Sequence, residues 1–413
     1  MKNSTILNHP TFCVLPFVHL YQSPGNIVSG CCISHPGKTV ESGELEAKIN
    51  APHMKSLRKR LLAGEMPNVC KSCWNIESAG HLSPRRSFNE EWIKNWREDI
   101  EYALPRTDPT TGHIHNFVMR YADVRFNNVC NFKCRTCSSS FSSLWVAENK
   151  KHNTPDWIGG GEVGLGTEEQ QEQTLQSILD NITTIRKMYF AGGEPLVQEK
   201  NYTILQALID NKRFDCHLMF STNGSVTKFK DYDLIDMLSK FKKVTFSVSL
   251  DDIEQRAEYI RHGTNWDEQL KNLQQFSVLS RESNFEYVLS ATISAFNFMS
   301  FPDAVYKLYE QGAIIKGTAL GLTMVQEPAW LSARVLPEDK KLEKCKDWDR
   351  LAVFCNKNNI SLTNEEIQRC VTWATRANTY EDYIMKFQEH TRYIDNIRDE
   401  NFSSVFPELE YMT

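Results

Sequence analysis

Between residues 117 and 325 the chain alternates two kinds of segment, and that alternation constrains the fold more than any other feature. Six short β-prone runs recur: FVMRYADVRF (117–126), KMYFAGG (187–193), CHLMFST (216–222), KVTFSVSL (243–250), EYVLSATIS (286–294) and GTALGLTMV (317–325). Amphipathic helical stretches lie between them, around 167–182, 199–211, 230–240, 265–281 and 301–311. Strands separated by helices pair in parallel, because a parallel neighbour is reached only through a long crossover, and such crossovers are right-handed. Six units fall short of the eight that close a (β/α) barrel. The expectation is an α/β protein built on an open, partial (β/α)6 TIM-like barrel.

The flanks differ from this core. Residues 1–115 are loop-rich and hold Cys13, Cys31, Cys32, Cys70 and Cys73. Within them FVHLYQSPGNIVSGCC reads as a β-hairpin about a Ser-Pro-Gly-Asn turn. MKSLRKRLLAGE reads as a helix stopped at Gly64 and followed by Pro67. Beyond 326 the sequence is polar and helix-rich. Three regions are therefore expected: an N-terminal cysteine domain (1–115), a barrel (116–325) and a helical C-terminal region (326–413). WIGGGEVGLG (157–166) reads as a flexible loop; it lacks the Lys-Ser/Thr ending of a phosphate loop and does not leave a strand.

The unusual short motifs all follow strands. VCNFKCRTC (129–137) follows the first, GGEP the second, STNGS the third and SLDD the fourth. In α/β barrels the C-terminal strand ends are the face that carries the chemistry. Cys130, Cys134 and Cys137 supply three thiolates, not four. A cube of four irons needs four outer ligands, so three thiolates leave one iron open to a small molecule, as an open position distinguishes catalytic from structural zinc.

These motifs together resemble the radical SAM superfamily, whose signature is CxxxCxxC after the first barrel strand. The resemblance implies a [4Fe–4S] cluster on Cys130, Cys134 and Cys137 whose open iron binds S-adenosylmethionine. Reductive cleavage there yields a 5′-deoxyadenosyl radical that abstracts hydrogen from a substrate. It also implies that Gly192, Gly193, Glu194 and Pro195 engage the methionine group. Glu194 offers its carboxylate to the ammonium, and the glycines allow close backbone approach. Ser221, Asn223, Ser249 and Arg261 are the matching later positions. Many members place an aromatic before the last cysteine, where this chain has Thr136.

Four thiolates from the N-terminal group fit either an all-cysteine zinc site or a fully ligated iron–sulfur cluster. The run from Cys13 through the hairpin to Cys31-Cys32, then to CKSC, resembles the SPASM and twitch auxiliary-cluster domains found with radical SAM barrels. That resemblance implies a second [4Fe–4S] cluster on Cys13, Cys31, Cys70 and Cys73, of the single-cluster twitch type. Such domains usually follow the barrel, whereas this one precedes it. Adjacent side chains on a strand point to opposite faces, so only one of Cys31 and Cys32 is expected to ligate; Cys31 has the family's spacing from Cys13.

Other residues have plainer readings. Cys216, Cys345, Cys355 and Cys370 are expected to be small core residues. His19, His35 and His81 read as surface side chains, Arg85 and Arg86 as a solvated pair, and Trp330, Trp348, Trp373, Tyr380 and Tyr383 as packing residues. With a formal charge of −5, a dedicated nucleic-acid binder is not expected. No apolar run approaches a membrane span, and no basic segment precedes an apolar core near residue 1. Cytoplasm is the expected location, and it suits cysteines that are ligands or free thiols rather than disulfides. The implied activity is that of a radical SAM oxidoreductase, fed by an electron donor such as flavodoxin or ferredoxin. The substrate expected is a peptide or protein being oxidised or cross-linked, with a small alcohol or sugar as the alternative. The reading from another class is a zinc-binding interaction module.

Overall fold

A computed structural model describes residues 9–34, 44–161, 164–281 and 284–412. Eight strands form one sheet: β1 (His19–Gln22), β2 (Val28–Ser29), β3 (Tyr121–Val124), β4 (Lys187–Phe190), β5 (His217–Thr222), β6 (Val244–Ser249), β7 (Phe285–Ile293) and β8 (Ala319–Met324). Their order is β8-β7-β6-β5-β4-β3-β1-β2. The six strands read from the sequence, β3 to β8, are consecutive and parallel, with helices between them. The α/β expectation is met, and so is the helical C-terminal region.

The helices begin and end where local chemistry says they should. Helix Glu168–Asp180 opens on a capping box in which the Thr167 hydroxyl accepts from Gln170 N–H at 3.2 Å and the Gln170 side-chain Oε1 accepts from Thr167 N–H at 2.9 Å, satisfying two donors that a helix start otherwise leaves free. Helix Pro52–Leu62 stops before Gly64, whose φ of +81° is a left-handed terminus that favours glycine.

Alternation along the strands sorts the two faces of the sheet. On β6, Val244, Phe246 and Val248 are buried against helices, whereas Thr245, Ser247 and Ser249 line the inner face and are part exposed. On β7 the same split separates Phe285, Tyr287, Leu289, Ala291 and Ile293 from Glu286, Val288, Ser290 and Thr292. A parallel sheet covered on both faces reads as continuous apolar runs. This one alternates because the inner face of the half-barrel is open and polar.

The hairpin forms as read, with Tyr21 opposite Ser29 and Gln22 opposite Val28. Its first strand also pairs in parallel with β3, His19 to Tyr121 through Gln22 to Val124. The N-terminal segment thereby continues the barrel's own sheet. At the far edge, Ser361 bridges Ala319 of β8. One apolar cluster runs from Phe12 to Met412 through all of this. Cys216, Cys355 and Cys370 are wholly buried in it, and Trp348 packs there with its indole N–H on the Phe298 carbonyl at 3.1 Å. No helix of the described residues is long and apolar enough to cross a membrane.

Two expectations on the flanks are corrected. Arg85 is not solvated: it is 6% exposed, ion-paired to Glu77 at 2.6 Å, and donates to the Phe12 carbonyl. His19 is not a surface residue but sits on β1, 2% exposed and stacked 4.2 Å from the Tyr121 ring. His81 does lie at the surface, paired to Glu365 at 2.6 Å, and His35 falls outside the described residues.

The two faces should differ in their sensitivity to truncation. Phe246 is wholly buried, 4.8 Å from the Phe276 ring, so Phe246→Ala should cost about 3–5 kcal/mol. Ser247 shares one partly buried hydrogen bond with Ser290, so Ser247→Ala should cost about 1 kcal/mol. Urea unfolding midpoints of the two variants test the contrast.

Candidate functional site

Strand β3 delivers the chain into the cysteine loop, and neighbouring loops pin that loop by its backbone. Lys133 N–H donates to the His262 carbonyl at 2.9 Å, Arg135 N–H to Ile260 at 2.8 Å and Cys137 N–H to Cys134 at 3.0 Å. The Ser142 hydroxyl donates to the Phe132 carbonyl at 2.6 Å, and the Trp145 indole N–H to that of Cys134 at 2.9 Å. Cys130, Cys134 and Cys137 all line one cavity of about 300 Å³ at the C-terminal strand ends. Burial pushes the Cys130 and Cys137 thiols up to about 12, and the neighbouring Cys134 adds to both rises. All three thiols thus face the same cavity.

The GGEP stretch forms the facing wall. Glu194 is 1% exposed. Its Oε1 accepts from Leu196 N–H at 3.0 Å and the Thr222 hydroxyl at 2.6 Å, and its Oε2 accepts from Asn223 N–H at 2.7 Å. A carboxylate has about four acceptor positions, so one lone pair on Oε2 is left over. Burial raises this carboxyl to about 7, and the accepted hydrogen bonds act in the opposite sense.

Gly192 and Gly193 line the cavity as expected positions, and they also face the segment that enters the cysteine loop. At Gly193, φ +51°, a Cβ would stand 2.2 Å from the Val129 carbonyl oxygen; at Gly192, φ +83°, it would stand 2.6 Å from Arg125 Cβ. The segment entering the cysteine loop therefore packs where a side chain would otherwise stand. Pro195 starts a short 3-10 turn and is buried behind the wall, outside the cavity lining.

The remaining expected positions, Ser221, Asn223, Ser249 and Arg261, all line the cavity. Arg261 Nε lies 2.9 Å from Asp251 Oδ2, and its Nη1 reaches Cys134 Sγ at 3.9 Å. Burial raises the Cys134 thiol while this guanidinium works against the rise. The Asn223 side chain donates to Asn131 Oδ1 at 2.9 Å, tying the end of β5 to the cysteine loop. Arg125 and Tyr189 also line the cavity, and sequence reasoning missed them. Their signal was the strand period of two, which carries Asp123 on to Arg125 along the inner face.

A second cavity, of about 90 Å³, gathers the N-terminal cysteines. Cys70 and Cys73 come three residues apart at the start of helix Lys71–Ser78, on one face. Cys13 precedes the turn into β1, and Cys31 follows β2. Burial pushes Cys31 up to about 11, with Cys70 and Cys73 adding to the rise. Cys13 is raised by burial and then by Cys31, Cys70 and Cys73. Cys32, the exposed member of the pair, shares the cavity lining with Asp123, whose charge adds to the burial that raises its thiol. Burial raises the Asp123 carboxyl to about 6, opposed by Arg125 beside it at 3.3 Å. Among the described residues no group of three His, Cys, Asp or Glu side chains closes on a single-ion position.

Residues 124–289, from the end of β3 into β7, match the profile described as Radical SAM superfamily. No curated protein matches the chain. Solved structures resemble it at low identity. Native anSMEcpe with bound AdoMet is 17% identical over 57% of this chain and 61% of its own, with a TM-score of 0.38. Streptococcus suis SuiB bound to S-adenosylmethionine is 14% identical over 73% and 64%, with a TM-score of 0.39. TYW1 with a lysine-pyruvate adduct is 15% identical over 58% and 71%, with a TM-score of 0.31. The chain thus spans less than two thirds of the first two. The three cysteines, GGEP and the end of β5, which surround one cavity, all lie inside the span that matches this profile.

Proposed function

We propose that the chain is a radical SAM enzyme in which Cys130, Cys134 and Cys137 hold a [4Fe–4S] cluster with one iron free for S-adenosylmethionine. The observation that carries this reading is the shared cavity: three thiols on one wall, the spare lone pair of Glu194 on the other. That donor set fits the pair of groups, since thiolates suit iron and a free carboxylate lone pair suits an ammonium. When bound, the cluster and cofactor supply one-electron cleavage of the sulfonium and a 5′-deoxyadenosyl radical that takes hydrogen from a substrate.

The chain's own residues bind and orient. Glu194 accepts from the methionine ammonium while its three internal hydrogen bonds hold it still. Ser221, Asn223 and Ser249 present hydroxyl and amide groups to the remaining polar atoms of the cofactor. Arg261, oriented by Asp251, keeps a positive charge beside Cys134 and favours the thiolate.

The second cavity suits an auxiliary [4Fe–4S] cluster on Cys13, Cys31, Cys70 and Cys73. The mutual electrostatic effect of those thiols, with Cys32 facing Asp123, favours Cys31 as the ligand. Regions 1–115, 116–325 and 326–413 then act as auxiliary-cluster, catalytic and supporting parts. Oxidation or cross-linking of a peptide or protein is the reading for the substrate, with a small alcohol or sugar as the alternative. Flavodoxin or ferredoxin is the class of electron donor.

Anaerobically reconstituted protein should be brown and should release 5′-deoxyadenosine from S-adenosylmethionine only with reductant. Cys134→Ala should abolish that release. Colourless protein containing zinc and no sulfide would instead establish the interaction-module reading.

Cys70→Ala should leave cofactor cleavage intact while blocking substrate turnover. A folded Cys70→Ala protein unable to cleave the cofactor would overturn the division of labour between the two cavities.

A further inference from the structure

The last long helix, Tyr380–Arg398, and the turn after it close against the outside of the cysteine loop. Arg135 lies between the second and third cysteines, and its side chain is wholly buried, pointing to that helix. Its Nη2 donates to Asp395 Oδ1 at 2.5 Å and also to Glu400 Oε2. Its Nε donates to the Tyr259 carbonyl at 3.2 Å, and the guanidinium lies 3.6 Å over the Tyr259 ring. The Tyr259 hydroxyl donates to the same Asp395 oxygen at 2.7 Å.

A second arm mirrors the first. Arg398 Nη2 donates to Glu148 Oε2 at 2.7 Å, and Lys133 Nζ bonds the same carboxylate. Three carboxylates (Glu148, Asp395, Glu400) thus neutralise three cations (Lys133, Arg135, Arg398). Lys133 and Arg135 are the two residues flanking Cys134.

Ion pairs this deep add little net stability, because desolvation offsets their attraction. They do fix geometry, since displacing one member leaves an uncompensated buried charge. Two of the members, Lys133 and Arg135, sit on the ligand loop itself, so what the network fixes is the loop on either side of Cys134.

We propose that Asp395, Arg398 and Glu400 are positioning residues that set the cysteine loop in its ligating form before any metal is loaded. The inference rests on the reading of these cysteines as cluster ligands, but the order it describes belongs to the metal-free chain.

Hydrogen–deuterium exchange on the metal-free, full-length protein tests it. In Asp395→Asn the amides of Lys133, Arg135 and Cys137 should exchange at least about tenfold faster than in the native chain, as a local opening, while β6 and β7 keep their protection. Where Asp395→Asn unfolds globally, Glu400→Gln removes one of the two carboxylates and reads the same amides. After reconstitution with iron and sulfide, the loosened variants should lose iron to a chelator several-fold faster than the native protein, under conditions in which β6 and β7 keep their native protection. Unaltered exchange at the three amides, or equal iron retention despite a loosened loop, overturns the proposal. Variant-sensitive exchange in a native chain that takes up no iron would uphold the brace and sink the cluster reading.

Discussion

The strand ends are assembled on the carboxylate of Glu194. A buried charge without partners is costly, and this one, 1% exposed, is held by three donors from two segments. Its own amide donates to the Val129 carbonyl at 2.8 Å. One residue therefore joins the entry to the cysteine loop, the GGEP turn and the end of β5. The glycines before it make the arrangement sterically possible, because any Cβ there would collide with Arg125 or Val129. The wall of the cavity is rigid for reasons internal to the protein, which leaves the last lone pair of Glu194 held in place.

The open sheet explains why two cysteine cavities lie near one another. Because β1 pairs in parallel with β3, the hairpin and its cysteines are brought to the inner face of the half-barrel. Asp123 and Arg125 then divide that face: Asp123 lines the N-terminal cavity and Arg125 the barrel cavity. Two residues apart on one chain, they are joined by an ion pair of 3.3 Å. Any change in charge in one cavity is felt across that pair, since burial leaves little water to screen it.

Much of this was legible in the sequence, where local pattern and final structure answer to the same physics. The six barrel strands and their helices were readable because alternation between two periods is a local property. The motifs were placed because each immediately follows a strand. What escaped needed distant partners. A four-residue strand such as His19–Gln22 has two edges, and the hairpin pattern names the partner for only one; β3 lies a hundred residues away. Arg85 looked solvated because its partner Glu77 becomes visible only once two helices are folded together. Arg135 looked like a spacer inside a cysteine motif, and its carboxylates stand some 260 positions further on.

The flanking regions follow from the same openness that creates the site. A half-barrel exposes two sheet edges, and an unpaired edge invites association with other chains. On one side β1 covers β3 and is itself covered by β2. On the other, Gly317 N–H donates to the Asn359 carbonyl at 2.8 Å, Ser361 N–H to Thr318 at 2.9 Å and Leu320 N–H to Ser361 at 3.0 Å. Each cover then continues to the chemistry: the N-terminal one carries the second set of thiols, and the C-terminal one returns through helix Tyr380–Arg398 to grip the cysteine loop. The segments that satisfy the sheet's edges thus also line one cavity and brace the loop of the other, so stability and site geometry depend on the same contacts.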